Sequence, residues 1–195
     1  MHRKLTAALV VTFVSLSMGL LSAQAASLVV QLAGTAVGEM RQIDTNDDGT
    51  PDKEANCFDV DLVDPNSGEK LGTGSDCLSD LEVLNPGDPG CENPDQSIGG
   101  CDVRLLDTTI FNFSDGTLVS QGAVSIPVAN DEDTLDAGIT HVTGSFPTEN
   151  NILYGTGRFE NVQGKVRVSG GVNMSTTVAT NEITFDCFFH LQLEE

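Results

Sequence analysis

The chain has 195 residues, with 29 acidic and 9 basic side chains and a formal net charge of −20. That charge repels nucleic acid and anionic membrane surfaces, which excludes both as partners. Strong acidity with few apolar residues would mean disorder, but a hydrophobic fraction of 39% is enough for a core.

Residues 1–25 read as a secretory signal peptide. A basic start, "MHRK", precedes the apolar run "LTAALVVTFVSLSMGLL", and Ala23 and Ala25 in "SAQA" supply the small-x-small pattern of a cleavage site. A membrane anchor fits less well, because Thr and Ser interrupt a run that is barely long enough to span. The mature chain is then expected to begin near Ala26 as one domain, residues 26–195, secreted or extracytoplasmic (periplasmic or extracellular), with no membrane span. Losing Arg3 and Lys4 takes the basic count from 9 to 7 against 29 acids, a net charge of −22.

The mature sequence reads as strands. "SLVVQLAG" is β-branched and apolar. "CFDVDLVD" alternates, with Phe58, Val60 and Leu62 on one face and Asp59 and Asp61 on the other. "TLVSQGAVSIPVA" is rich in Val and Ile, and "KVRVSGGV" alternates Val166 and Val168 with Lys165 and Arg167. "EITFDCFFHLQL" places Ile183, Phe185, Cys187, Phe189, Leu191 and Leu193 on one face. "DPNSG", "NPGDPG", "SDG" and "SGG" punctuate these runs as turns. No window carries a helical period, so an antiparallel all-β fold with almost no helix is expected, closed as a barrel or folded as a sandwich. Residues 85–100, with three Pro and four Gly, form a long loop. "DEDTLD", 131–136, reads as a solvated loop.

All five cysteines, Cys57, Cys77, Cys91, Cys101 and Cys187, lie in the mature chain. Export permits disulfides, and an odd count leaves one thiol unpaired or intermolecular. No spacing is CxxC, which removes zinc-ribbon and thioredoxin readings. A Cys77–Cys101 bond would staple the Pro/Gly loop, with Cys91 as a rival partner. Cys57 and Cys187 would pair if the first and last strands of a closed barrel lie side by side.

"DTNDDGTPD" places Asp44, Asn46, Asp48, Thr50 and Asp52 at positions 1, 3, 5, 7 and 9 of a calcium-loop pattern, with Gly49 at the sharp turn. Ala55 stands where the bidentate Glu belongs. Two readings stay open, a loose Ca²⁺ site and a solvated acidic hairpin loop. No other cofactor is required.

Three stretches occur in a familiar order: "DLVDPNSGEKLGTGSDC", "FSDGTLVSQGAVSI" and "YGTGRFENVQGKVRV". Together they resemble the barrel of allene oxide cyclases and dirigent proteins and their bacterial relatives, over roughly residues 55–193. The resemblance implies a closed eight-stranded antiparallel barrel, commonly trimeric, with a cavity for an apolar small molecule. Within such a barrel Gly155 and Gly157 would let the chain bend, and Phe159 would plug the core beside them. A phosphate loop is excluded at that stretch, since Gly164-Lys165 is followed by Val166.

The function expected is a secreted small-molecule-binding barrel that orients an apolar ligand, with cyclase- or isomerase-like or dirigent-like activity. The alternatives are a non-catalytic carrier and a structural or surface protein whose barrel is filled. No HExxH, GxSxG or other catalytic signature is present. The polar candidates are His190, Arg104 and Tyr154. The apolar ligand-binding candidates are Phe111, Phe113, Phe159 and Phe188, since the chain has no Trp and a single Tyr.

Overall fold

The structure, a computed structural model, describes residues 26–83, 103–126, 139–144, 150–175 and 177–194. Ten strands fall in these segments: β1 Ala26–Val37, β2 Glu39–Ile43, β3 Lys53–Val63, β4 Lys70–Val83, β5 Val103–Phe113, β6 Gly116–Ile126, β7 Ile139–Gly144, β8 Ile152–Gly155, β9 Gln163–Asn173 and β10 Glu182–Glu194. Among the described residues, helix is confined to a 3-10 turn at Gly157–Phe159 and one α-turn at Thr177–Thr180.

All strands pair antiparallel in one sheet, in the order β1-β10-β9-β7-β6-β5-β4-β3-β2, with β8 added beside β6. β1 also carries a short ladder to β3, Gln31 opposite Val63, Leu32 opposite Leu62 and Ala33 opposite Asp61. The period-two patterns place the side chains as expected. β10 buries Ile183, Phe185, Cys187, Phe189, Leu191 and Leu193 and turns the residues between them outward. β3 buries Phe58, Val60 and Leu62 and exposes Asp59 and Asp61. These faces, with Val30 and Leu32 of β1 and Phe111 of β5, form the main core. Phe58 packs on Phe185 and Phe111 edge-on to Phe189, with ring centroids 5.7 and 5.2 Å apart.

A second, smaller cluster on the other face of β3 and β4 joins Ile43, Ala55, Cys57 and Cys77. Here the pairing expected for the cysteines is corrected. Cys57 and Cys77 stand directly opposite each other in the β3–β4 register and are bonded as a disulfide. Cys77 is therefore not available to Cys101, nor Cys57 to Cys187. Strand β4 continues past Cys77 to Val83 instead of ending at the cysteine, and Cys187 is a buried free thiol on the opposite, inward face of β10. Cys91, Cys101 and the 85–100 and 131–136 loops lie outside the described residues, as does the 1–25 segment. A disulfide is consistent with an extracytoplasmic protein. Among the described residues no helix is long and apolar enough to cross a membrane.

The "YGTGRFENVQG" stretch is structural. β8 ends at Gly155, the chain turns through Gly157–Phe159, and Phe159 drops into the core at 2% exposure. Gly157 has φ +59°, and a Cβ there would lie 2.2 Å from the Asp115 carbonyl oxygen. Gly164 has φ +139°, and a Cβ would lie 1.9 Å from the Gln192 carbonyl oxygen. Beside β9 the Asn151 side chain takes the place of a strand partner: its Nδ2 donates to the Val166 carbonyl at 2.9 Å and its Oδ1 accepts from the Val166 amide at 2.7 Å.

Candidate functional site

Strand geometry puts two carboxylic acids together in the core. On β4 the inward phase runs Gly72, Gly74, Asp76, Leu78, and on β5 it runs Leu105, Asp107, Thr109, Phe111. Asp76 stands opposite Thr109 and Leu78 opposite Asp107, so the two acids are diagonal neighbours on one face. They are buried to 7% and 5% exposure. The Thr109 hydroxyl faces both, at 3.4 Å from Asp76 Oδ1 and 3.3 Å from Asp107 Oδ2. One proton cannot be donated fully to two acceptors, so both contacts are long and weak. Asp107 Oδ1 is buried with no hydrogen-bond partner.

Burial sets the titration of the pair. Loss of water pushes Asp76 up to about 6, while hydrogen bonds from Asp107 and Thr109 pull the other way. Burial also raises Asp107, well above the usual carboxylate range, and the Asp76 charge beside it raises it further. Both carboxyls therefore keep their protons to higher pH than an exposed acid, and as a coupled pair they release the first proton more readily than the second.

The pair forms one wall of a cavity otherwise lined by Leu78, Leu105, Val124, Val168, Val172, Met174, Ile183, Phe185, Cys187 and Phe189. The cavity is small, about 30 Å³. Asp107 also lines a smaller space of about 20 Å³ beside Thr109, Ser120 and Asn151. Cys187 donates to the Gly171 carbonyl at 3.6 Å. Burial, with the charge of Asp76, pushes its thiol up to about 12, so it stays protonated.

The side chains expected at a site lie elsewhere. His190 follows the outward phase of β10, where its Nε2 meets the Ser27 hydroxyl at 2.7 Å. Phe188 is on the same outer face at 42% exposure, so it cannot line an interior cavity. Phe111, Phe113 and Phe159 pack into the core, Phe113 on Phe159 at 5.1 Å, under the Arg158 guanidinium. The cavity aromatics are instead Phe185 and Phe189. Tyr154 donates to the Asp44 carbonyl at 3.1 Å on the outside of the sheet. Arg104 stands opposite Glu82 and Ser125 in β5, and its side chain lies outside the described residues.

Asp44, Asn46, Asp48, Thr50 and Asp52 share one exposed loop between β2 and β3, but their oxygens turn onto the loop itself. Asp44 accepts from the amides of Asn46, Asp47 and Gly49 at 2.8–3.0 Å, and Asp52 accepts from the amide and hydroxyl of Thr45. Partial desolvation works to raise the Asp44 pKa, and the backbone donors outweigh it, holding the carboxyl below its usual range. Among the described residues no three His, Cys, Asp or Glu side chains converge as metal ligands.

Asp76 and Asp107 were missed from the sequence. The available signal was phase: each is an acid in the inward phase of a period-two run, Asp107 in "LLDTTIFNF" and Asp76 in "LGTGSDCL".

Fold and site together define an antiparallel all-β protein with a buried acid pair facing an apolar cavity. No family model matches the chain, and no curated protein matches it. Among solved structures it is similar to pyocyanin demethylase, with 15% identity and a TM-score of 0.40 over 86% of this chain and 99% of that one. That likeness assigns no activity here.

Proposed function

We propose that the sheet closes as an eight-stranded barrel and that the protein is an exported small-molecule isomerase or cyclase, moving a proton on an apolar ligand held in the cavity. Closure is supported by the β1–β3 ladder, which would join β3 to β10 through β1. The observation that carries the function is the Asp76–Asp107 pair in an apolar wall. Two like-charged acids are costly to bury, and such arrangements concentrate where proton transfer is the task.

The pair is poised for a balanced isomerisation. The Asp76 carboxylate takes a proton from a ligand carbon as a C–H bond breaks. The Asp107 O–H delivers its proton to another atom of the same ligand, and the net change is a shifted double bond or a closed ring. No oxidant or co-reactant is consumed, and the enzyme regains its protonation state by exchanging the proton across the pair. The dry walls position the ligand and keep water from competing.

The test is deuterium exchange. β,γ-Unsaturated cyclic ketones, incubated with the protein in heavy water, are followed by NMR for exchange at the carbon next to the carbonyl. Catalysed exchange that rises with pH near 6 and is lost in Asp76→Asn supports the reading. Binding without exchange assigns a carrier. Neither binding nor exchange leaves a structural protein.

A further inference from the structure

The cavity has a charge imbalance of its own. Asp76 and Asp107 sit together at its wall, and none of the described residues lining it or the adjoining smaller space is Lys, Arg or His. The other titratable group facing the pair is the Cys187 thiol from β10. Thr109 gives the pair one shared hydroxyl. Asp107 Oδ1 remains buried without a donor. An isolated charge in an apolar interior is strongly disfavoured unless it is paired, and a buried acceptor without a donor costs a further desolvation penalty. Both deficits are met by one kind of group, a compact cation with N–H donors on an apolar body.

We infer that the Asp76–Asp107 cavity selects small apolar amines, bound as ammonium or amidinium ions with an N–H donated to Asp107 Oδ1. This rests on the reading of the cavity as a ligand site and names the chemical class it takes. The apolar walls match the body of such a molecule, and the acid pair matches its head. A ligand arriving as the free amine takes the Asp107 proton: the Asp107 O–H breaks, an N–H forms, and the ammonium is held by two carboxylates, a state with one proton fewer than the one reached from the ammonium ion. Anionic and neutral molecules of the same shape lack that match, and an anion meets repulsion from the pair.

The test compares n-butylammonium, 1-butanol and butyrate, which share a shape and differ in head charge. Each is titrated into the isotope-labelled protein and followed by amide NMR shifts. Salt is set at about 0.3 M, where the Debye length is under ~8 Å and loose cation binding to the acidic surface is screened. The expected result is saturable shifts on β4 and β5 around Asp76 and Asp107, at least about tenfold tighter for butylammonium than for butanol, and none for butyrate. A tenfold preference corresponds to ~1.4 kcal/mol. Asp76→Asn, which keeps the shape and removes the charged partner, weakens butylammonium by about tenfold and leaves butanol unchanged. Equal affinity for the cation and the alcohol overturns the inference, as does cation binding that Asp76→Asn does not change, or cation shifts confined to the 44–52 loop. If butanol shifts β4 and β5 while butylammonium does not, the amine preference fails and the cavity reading stands. If none of the three does, both fail.

Discussion

Replacing Asp76 by Asn tests the electrostatics of the pair directly. The substitution keeps size and shape, leaves an oxygen to accept from Thr109, and removes one ionisable group. In the folded protein Asp76 titrates at about 6, against 3.8 for an unperturbed carboxyl. A rise of about two pKa units is worth on the order of 3 kcal/mol. Because the folded state binds this proton more tightly than the unfolded one, the contribution is favourable at low pH and is lost as pH climbs from about 4 to about 6. Wild type therefore carries the full cost above pH 6, and Asp76→Asn does not. Urea unfolding of both proteins at about pH 4 and about pH 7.5 separates this from the rest of the acidic surface, which titrates alike in each. The variant is expected to be more stable at the higher pH, relative to its standing at the lower, by ~2–3 kcal/mol. For a chain of this size that is roughly 5–10 °C in melting temperature. A difference between the two proteins that is the same at both pH values would refute the reasoning, since it would mean that Asp76 titrates as an ordinary surface acid.

Other outcomes follow from the same geometry. Reducing Cys57–Cys77, which closes a separation of 20 residues, is expected to cost about 3 kcal/mol by urea unfolding with and without reductant. Peptide mapping of unreduced protein should recover the two cysteines linked to each other. Gly164→Ala places a Cβ against the Gln192 carbonyl at a φ that alanine avoids, and is expected to lose at least ~2 kcal/mol; a neutral result in thermal unfolding would contradict the tight approach of β9 and β10. Cys187, buried with its thiol pushed up to about 12, should resist thiol reagents in the native protein and label rapidly in urea, read by mass spectrometry of its peptide.

Much of the fold was legible because period two is a strong signal where one face is buried. β10 alternates through six inward residues without error, and β3 does so from Phe58 to Leu62, so both faces followed from the sequence alone. The connection between β2 and β3 was legible as a turn, from Asp, Asn and Gly. The disulfide was not. Cys57 and Cys77 become partners only once β3 and β4 are set in register around the Asp64–Lys70 turn, and a one-residue slip would have put them on opposite faces. Loop-stapling is a plausible rule for cysteines flanking a Pro/Gly stretch, but it presumes that β4 stops at Cys77, and β4 runs on to Val83.

The site was illegible for a related reason. Residues with an obvious chemical handle draw notice first, but His190 follows the outward phase of β10 and Tyr154 donates to the Asp44 carbonyl of the acidic loop. Aspartate is so common here, in a chain with 29 acids, that no single one draws notice. What separates Asp76 and Asp107 from the rest is the violation of a local rule: each replaces an apolar residue where the alternation calls for one, and the two violations meet through the β4–β5 register. Isolated, either would be an expensive buried acid. Adjacent, and with one oxygen still without a donor, they hold a combination that packing alone would not retain, since an apolar pair of similar volume fills the same space without desolvating a charge. Sequences tend to break local rules where function requires it, and in an all-β chain with few polar side chains in its core the acid in the wrong phase is the place to look.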